Sequence, residues 1–213
     1  MEDAAHRGVM GTAAGDAREF AREYLAYVAD LLDRLDVAVI ARFIQELEAA
    51  QERGRTIFLI GNGGSAATAS HMANDIGLDV FKKTGGARAF RVLALTDSVP
   101  MLTAIANDEG YENVFLHQLR IHYRPGDLLV AISASGNSPN VLAAAEWVSR
   151  QGGAVLGLVG FDGGKLKGLC DVVIHVETPK GVYGPVEDVH MVMDHLVTRY
   201  LSSRPTAEAS GRG

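Results

Sequence analysis

One local pattern occurs twice in the chain: an apolar run, a short turn rich in glycine and serine, and a helix-forming stretch. The first copy is the run 56–60 (TIFLI) with the turn 61–65 (GNGGS), and the second is the run 127–132 (DLLVAI) with the turn 133–138 (SASGNS). Apolar runs that connect through helices are typical of parallel strands buried on both faces. The doubled pattern therefore predicts an α/β fold built on a parallel sheet.

The rest of the chain extends this alternation of strands and helices. The predicted strands cover residues 56–60, 90–95, 127–132, 154–159 and 172–176. The predicted helices cover about 66–78, 98–106, 111–122, 139–151 and 186–202. We expect a single three-layer α/β/α domain with a five-stranded parallel sheet, spanning residues 16–202.

Two helices are predicted before the first strand, over residues 16–32 and 36–53, because apolar residues recur there at helical spacing. They must cover a face of the sheet or contact another subunit, and two apolar stripes exceed what one small sheet needs. We therefore expect residues 16–53 to form subunit contacts. Residues 1–15 and 203–213 are small and polar, and we expect them to be disordered.

Composition and charge exclude several classes of protein. The chain has 213 residues, a net charge of −6 and 47% hydrophobic residues, which fits one globular domain. An acidic chain is poorly suited to phosphate backbones, so nucleic acid is not an expected partner. No signal peptide and no apolar run of about 20 residues is recognised, so no membrane association is expected. One cysteine, Cys170, fits a reducing compartment, and the protein is predicted to be cytoplasmic.

The two turns have the chemistry of anion binding. Glycine lets backbone N–H groups point towards an anion, and the start of the next helix adds the positive end of its dipole. Four hydroxyl groups, those of Ser65, Ser133, Ser135 and Ser138, lie where such an anion would bind. Because both turns follow the carboxyl ends of parallel strands, we expect one small phosphorylated ligand between them.

Other interpretations of the turns fit less well. Residues 61–66 (GNGGSA) match the dinucleotide pattern G-x-G-x-x-G/A, but the segment 80–84 (VFKKT) lacks the acid that would hold a ribose, and Asp97 follows a later strand. No Gly-Lys-Ser/Thr follows either turn, which excludes a P-loop. Tight turns without any ligand are the remaining alternative.

Titratable side chains cluster on two of the predicted helices. His71 and Asp75 are four residues apart after the first turn, so they share a helix face and can converge on a metal or a substrate. The last helix carries two acids and two histidines along one stripe: Glu187, His190, Asp194 and His195. As an alternative to a site, His190 and Asp194 would pair as i,i+4 neighbours on a solvated face.

Six segments resemble the sugar-isomerase (SIS) domain family, and within it the phosphoheptose isomerases, which act on sedoheptulose 7-phosphate. The likeness runs in the same order over residues 16–202. The matching segments are 61–65 (GNGGS), 71–75 (HMAND), 107–111 (NDEGY), 132–138 (ISASGNS), 160–165 (GFDGGK) and 187–195 (EDVHMVMDH). The resemblance implies a five-stranded parallel sheet between helices, and a homotetramer with active sites at subunit boundaries.

The resemblance also implies an isomerase that interconverts a ketose phosphate and an aldose phosphate through an enediol, here sedoheptulose 7-phosphate and a heptose 7-phosphate. Carried over by position, Asp75 and His195 transfer the proton. The implied zinc ligands are His71, Asp75, Glu187 and His195, and nickel or manganese would also suit this donor set. The implied substrate-binding and phosphate-binding residues are Asn62, Gly63, Gly64, Ser65, Asp97, Ser133, Ser135, Asn137 and Ser138.

Two observations complicate the assignment of the family's residue roles to this sequence. Glu187 and His195 are about 12 Å apart along a helix axis, so either Glu187 precedes the regular helix, which Pro185 permits, or a neighbouring subunit supplies one of the two. The sequence also departs from the family, which has glutamate at Asp75, glutamine at Glu187, arginine at Asp79, threonine at Ala134 and aspartate at Gly184. A non-catalytic phosphosugar-binding relative and an isomerase of another phosphosugar therefore stay open as alternatives.

Overall fold

The computed structural model describes residues 16–204, so the expected disorder of 1–15 and of 205–213 lies outside the described residues. Ser203, which the sequence prediction places in the disordered tail, is the last residue of the final helix. Five strands form one sheet in the order β2-β1-β3-β4-β5, and every pair is parallel. The strands are β1 Thr56–Ile60, β2 Arg91–Ala94, β3 Leu128–Ser133, β4 Ala154–Phe161 and β5 Val172–Glu177. The predicted five-stranded parallel sheet is confirmed.

Helices lie on both faces of this sheet. They are α1 Ala17–Asp33, α2 Val37–Glu52, α3 Gly64–Asn74, α4 Val80–Lys83, α5 Val99–Glu109, α6 Leu116–His122, α7 Pro139–Arg150, α8 Gly164–Lys167 and α9 Tyr183–Ser203. A π-helical turn, Asp75–Asp79, joins α3 to α4, and a 3-10 turn, Tyr111–Asn113, precedes α6.

Two predicted helices are corrected. The stretch 111–122 is not continuous, because the chain bends after the 3-10 turn to bury Val114 and Phe115 in the core before α6 begins. The last helix begins at Tyr183 and not near residue 186. Pro185 lies in its first turn, where a helical N–H has no intrahelical partner to lose.

Alternate side chains of each strand face opposite layers. Ile57 and Leu59 of β1 lie in a core formed with α2, α3 and α9. Phe58 and Ile60 lie in a second core, formed with α6 and α7. All five residues of β1 are buried, as continuous apolar runs predict for a sheet that is covered on both faces. The expected three-layer α/β/α architecture is confirmed.

The two N-terminal helices pack differently. α2 buries Phe43 and Leu47 against the sheet, so at least part of its apolar stripe covers a face of the sheet. α1 packs on the start of α9 through Leu31 and leaves Phe20 and Leu25 exposed, at 42% and 68%. α1 therefore presents apolar surface that another subunit could cover.

The two turns rich in glycine and serine lie close together because of the strand order. β1 and β3 are neighbours although β2 lies between them in sequence, so the winding direction of the sheet reverses there. Open α/β sheets bind ligands outside the carboxyl ends of the strands at such a reversal. In the part of the chain that the structure describes, no helix combines the length and apolarity needed to cross a membrane.

Candidate active site

The first turn joins β1 to α3 and is shaped by its glycines. A Cβ at Gly61 would lie 2.5 Å from the carbonyl oxygen of Ser65, so only glycine fits there. Gly63 has φ +54°, a conformation that residues with a Cβ rarely adopt, and α3 begins at the next residue. Ser65 is buried. The turn therefore directs the start of α3, with its free N–H groups, towards the carboxyl edge of the sheet.

The second turn joins β3 to α7 and is held by its own hydroxyl groups. The Oγ of Ser133 accepts a hydrogen bond from the N–H of Gly136 at 3.2 Å and lies 3.5 Å from the Oγ of Ser138. The Oγ of Ser135 accepts one from the N–H of Asn137 at 3.3 Å. Ser133 is buried and shapes the turn, whereas Ser135 and Ser138 are only half-buried, which leaves their hydroxyls within reach of an anion.

A reciprocal amide pair connects the two turns. Nδ2 of Asn62 donates to Oδ1 of Asn140, and Nδ2 of Asn140 donates to Oδ1 of Asn62, both at 2.9 Å. The hydroxyl of Tyr111 donates to the same Asn62 oxygen at 2.9 Å. The structure thus brings the two turns together and uses Asn62 to do so. The sequence prediction omits Asn140 and Tyr111, although Asn140 lies two positions beyond the second turn and Tyr111 lies in a matched segment.

Asn137 and Asp97 also have partners within the chain. Oδ1 of Asn137 accepts from the N–H of Lys165 at 3.2 Å, and its Nδ2 donates to the carbonyl of Ser135 at 2.8 Å. Its side chain thus fastens the second turn to the start of α8. Asp97, beyond β2, accepts a hydrogen bond from Ser70 of α3, and the two residues line one cavity beside β2.

Four titratable side chains, which we call the His/Asp cluster, converge between α3 and α9. His71, Asp75, Asp194 and His195 each offer a ligand atom, and these atoms all lie within 4.8 Å of one another. Nδ1 of His71 is 2.8 Å from Oδ2 of Asp194 and 3.7 Å from Oδ2 of Asp75. The rings of His71 and His195 meet edge to face, with centroids 5.3 Å apart. The structure therefore brings together three of the four predicted ligands and adds Asp194.

Burial and hydrogen bonding set the pKa values in the His/Asp cluster. The pKa of His71 is raised, mainly because of its hydrogen bond with Asp194. Burial raises the pKa of Asp194, and the hydrogen bond from His71 opposes that shift. Perturbed pairs of this kind are typical of sites that transfer protons.

Asp75 is the first residue of the π-helical turn that follows α3. Such turns hold one residue more than an α-helical turn and are frequent at functional sites. α3 is regular up to Asn74, so Asp75 stays in helical register with His71, and the widened turn begins only beyond it. No sequence signal predicts this change, because nothing in residues 75–79 favours a π turn over an α turn.

Glu187 lies outside the His/Asp cluster. Its carboxylate contacts the first turn instead, at Gly64, where any Cβ would overlap it. Burial, and then the charge of Asp188, raise the pKa of Glu187, and Asp188 accepts a hydrogen bond from Tyr24 of α1. A non-helical entry at Glu187 is wrong, because α9 already begins at Tyr183.

The interpretation of His190 and Asp194 as a pair on a solvated face is also wrong. Both side chains are fully buried, and Nε2 of His190 lies 3.4 Å from the carbonyl oxygen of Val159 on β4. Burial lowers the pKa of His190 to about 4. His190 is therefore a neutral residue of the core beneath β4.

The His/Asp cluster has a donor set that fits a divalent metal. Imidazole nitrogen and carboxylate oxygen without sulfur suit zinc. His71 and His195 are exposed, so an ion from solvent can reach them, whereas Asp194 is buried behind them. The cluster could therefore bind a metal.

Comparisons with known proteins agree with this geometry. The SIS domain model matches residues 23–160. The phosphoheptose isomerase of Rhodospirillum rubrum is 38% identical over 181 residues, which cover 83% of this chain and 92% of the relative. That of Desulfovibrio desulfuricans is 42% identical over 151 residues, which cover 71% of this chain and 70% of the relative.

Solved structures extend the comparison. The phosphoheptose isomerase of Neisseria gonorrhoeae superposes with a TM-score of 0.79 at 30% identity, covering 89% of this chain and 100% of that one. A phosphoheptose isomerase of Francisella tularensis gives a TM-score of 0.77 at 22% identity, covering 88% and 96%, which shows the shared fold. The resemblance inferred from the sequence is confirmed, and the chain belongs to the SIS domain family.

Proposed function

We propose that the protein is a phosphoheptose isomerase, which interconverts sedoheptulose 7-phosphate and a heptose 7-phosphate. The observation that carries this proposal is that one helix joins the first turn to the His/Asp cluster. α3 begins at Gly64, and His71 follows about 10 Å further along its axis. A sugar phosphate with its phosphate at the start of α3 would extend along that helix to the cluster. The identity to two phosphoheptose isomerases supports the same substrate.

The phosphate is proposed to bind between the two turns. Its donors are the free N–H groups at the start of α3 and the hydroxyls of Ser65, Ser135 and Ser138. Gly63 and Gly64 present no side chain of their own, and the carboxylate of Glu187 borders this position at Gly64. Because the Asn62–Asn140 amide pair links the turns, the phosphate is held in one place and the reacting carbons are positioned near the His/Asp cluster.

The proton transfer is assigned to Asp75 and His195. The reaction needs a base for the proton on the carbon beside the carbonyl and an acid for the oxygens, and these two side chains share the roles. Returning the proton to the neighbouring carbon moves the carbonyl by one position and completes the isomerisation. A metal bound in the cluster supplies electrostatic stabilisation of the negative charge that develops on oxygen.

Zinc is the proposed metal, with His71, Asp75 and His195 as its ligands. Within the described part of the chain the fourth side chain near these residues is that of Asp194, so ligation by Glu187 requires a neighbouring subunit. Metal analysis of the purified protein tests the assignment. About one zinc per chain, removable by a chelator, is the expected result, and a different bound metal at that ratio would contradict zinc.

We also propose a homotetramer in the cytoplasm, with active sites at subunit boundaries. Exposed apolar residues of α1, Phe20 and Leu25, support it. So does an apolar groove of about 310 Å³ between α2 and α9, lined in part by Val37, Leu196 and Tyr200. Light scattering should give four times the chain mass, and a monomer would contradict shared active sites.

Conversion of sedoheptulose 7-phosphate, followed by NMR, tests the proposed activity. New anomeric signals of an aldose are expected with zinc-loaded protein and not with the Asp75→Asn variant. Binding without conversion of any ketose phosphate would indicate a non-catalytic phosphosugar-binding protein. Conversion of a different phosphosugar alone would keep the isomerase but change its substrate.

A further inference from the structure

Asp194 is a buried carboxylate to which the proposed reaction gives no role. Its side chain has 0% exposure, and Val197 and Leu201, further along the same side of α9, are core residues. Burial of a carboxylate is costly unless hydrogen bonds compensate for lost hydration. An aliphatic side chain would fit this stripe of α9 at no such cost, so the contacts of Asp194 have to explain its presence.

Both oxygens of Asp194 have a partner. Oδ2 lies 2.8 Å from Nδ1 of His71, and Oδ1 accepts a hydrogen bond from the hydroxyl of Thr198 at 3.4 Å. Within residues 16–204, His71 is the one basic side chain that forms an ion pair with it. Asp194 is thus directed at a single nitrogen of a single histidine.

The distance between Nδ1 of His71 and Oδ2 of Asp194 fits a hydrogen bond better than it fits two ligands of one metal ion. Two ligands of one tetrahedral zinc ion stand about 3.3 Å apart, because each bond is about 2.0–2.1 Å long. The 2.8 Å between Nδ1 and Oδ2 is shorter and lies within the range of an N–H···O hydrogen bond to a carboxylate. Asp75, at 3.7 Å from the same nitrogen, lies outside that range, so the hydrogen on Nδ1 has its acceptor in Asp194.

We propose that Asp194 is a positioning residue, which holds His71 with its hydrogen on Nδ1 and its lone pair on Nε2. A neutral imidazole has one N–H and one acceptor nitrogen, and the partner of one nitrogen decides the role of the other. Nε2 is then the nitrogen offered to a metal or a substrate, and the ring orientation is fixed from behind. What Nε2 binds rests on the proposed function, whereas the tautomer is a property of the folded chain.

The tautomer is measured by long-range ¹H–¹⁵N NMR on metal-free protein, at a pH where the imidazole is neutral. The His71→Gln variant assigns the signal. The Nδ1–H form is expected in the wild-type protein, and a shift towards Nε2–H is expected in Asp194→Asn, whose amide can donate to Nδ1. Thr198→Val is the matched control, because it removes only the contact to Oδ1 and should keep Nδ1–H.

The Nε2–H form in the wild-type protein would overturn the proposal, and so would an unchanged tautomer in a folded Asp194→Leu variant, which offers the hydrogen on Nδ1 no side-chain acceptor. If these variants do not fold, the wild-type spectrum still decides. Zinc affinity by chelator competition gives a second readout. Loss of the carboxylate partner of a ligating histidine should weaken binding about 10–100-fold, and equal affinity would also overturn the proposal. A wild-type protein with Nδ1–H but no isomerase activity would refute the proposed function and leave this inference intact.

Discussion

Truncation of Asn140 tests whether the amide pair couples the two turns. Asn140→Ala removes two hydrogen bonds of 2.9 Å to Asn62 and one of 3.0 Å from the N–H of Val141. Each is worth about 1 kcal/mol net, and water cannot replace them readily because Asn140 is only 1% exposed. We expect the free energy of unfolding, measured by urea denaturation, to fall by about 3 kcal/mol.

A double-mutant cycle isolates the coupling between the turns. Asn62→Ala loses the same two side-chain bonds and also the bond from the exposed Tyr111, so it should cost about 2.5 kcal/mol. The double variant should then cost only about 0.5 kcal/mol more than Asn140→Ala alone, which corresponds to a coupling energy of about 2 kcal/mol. Tyr111→Phe is the control, because its hydroxyl also bonds to Asn62 but the residue is 57% exposed, so about 0.5 kcal/mol is expected. Costs of the two single variants that add within about 0.5 kcal/mol would show that the two side chains are not coupled.

Three further predictions concern the second turn, the reaction and acid stability. Gly136 has φ +61°, and a Cβ there would overlap the facing loop, so Gly136→Ala should lower the free energy of unfolding in urea by more than about 3 kcal/mol. Gly54→Ala is the control, because Gly54 has φ +64° in open space, and about 1 kcal/mol is expected for it. Equal losses in the two variants would contradict this prediction. Asp75→Asn and His195→Ala should each lower kcat at least about 100-fold, and near-normal turnover would remove them from the chemistry. His190 takes up a proton near pH 6.5 in the unfolded chain but only near its pKa of about 4 in the folded chain. The free energy of unfolding should therefore fall by about 3 kcal/mol as the pH drops across that interval. The same dependence of unfolding free energy on pH in His190→Gln would count against this cause.

The sheet and the turns could be predicted because their signals are local. β1 and β3 are continuous apolar runs of buried residues, and such runs separated by helices leave few alternatives to a parallel sheet. The glycines of the first turn also act locally, since Gly61 and Gly63 meet steric demands set by residues next to them.

The contacts that complete the site could not be predicted, because they join residues distant in sequence. Asn62 and Asn140 are 78 positions apart, and His71 and Asp194 are 123 apart. An acid on an amphipathic helix has the same sequence pattern whether it faces solvent or a buried histidine, so the sequence alone leaves both interpretations of Asp194 open. The start of α9 at Tyr183 was missed for a related reason: Pro185 is compatible both with a helix start and with a first turn.

The proposed isomerisation requires that the His/Asp cluster remove a proton from the carbon beside a sugar carbonyl. Incubation with sedoheptulose 7-phosphate in D₂O, followed by NMR, detects that step even if the isomer does not accumulate. Deuterium should enter beside the carbonyl with zinc-loaded wild-type protein, and enter far more slowly with metal-stripped protein or with Asp75→Asn. Measurable binding without any exchange, or exchange at the same rate in Asp75→Asn, would contradict it.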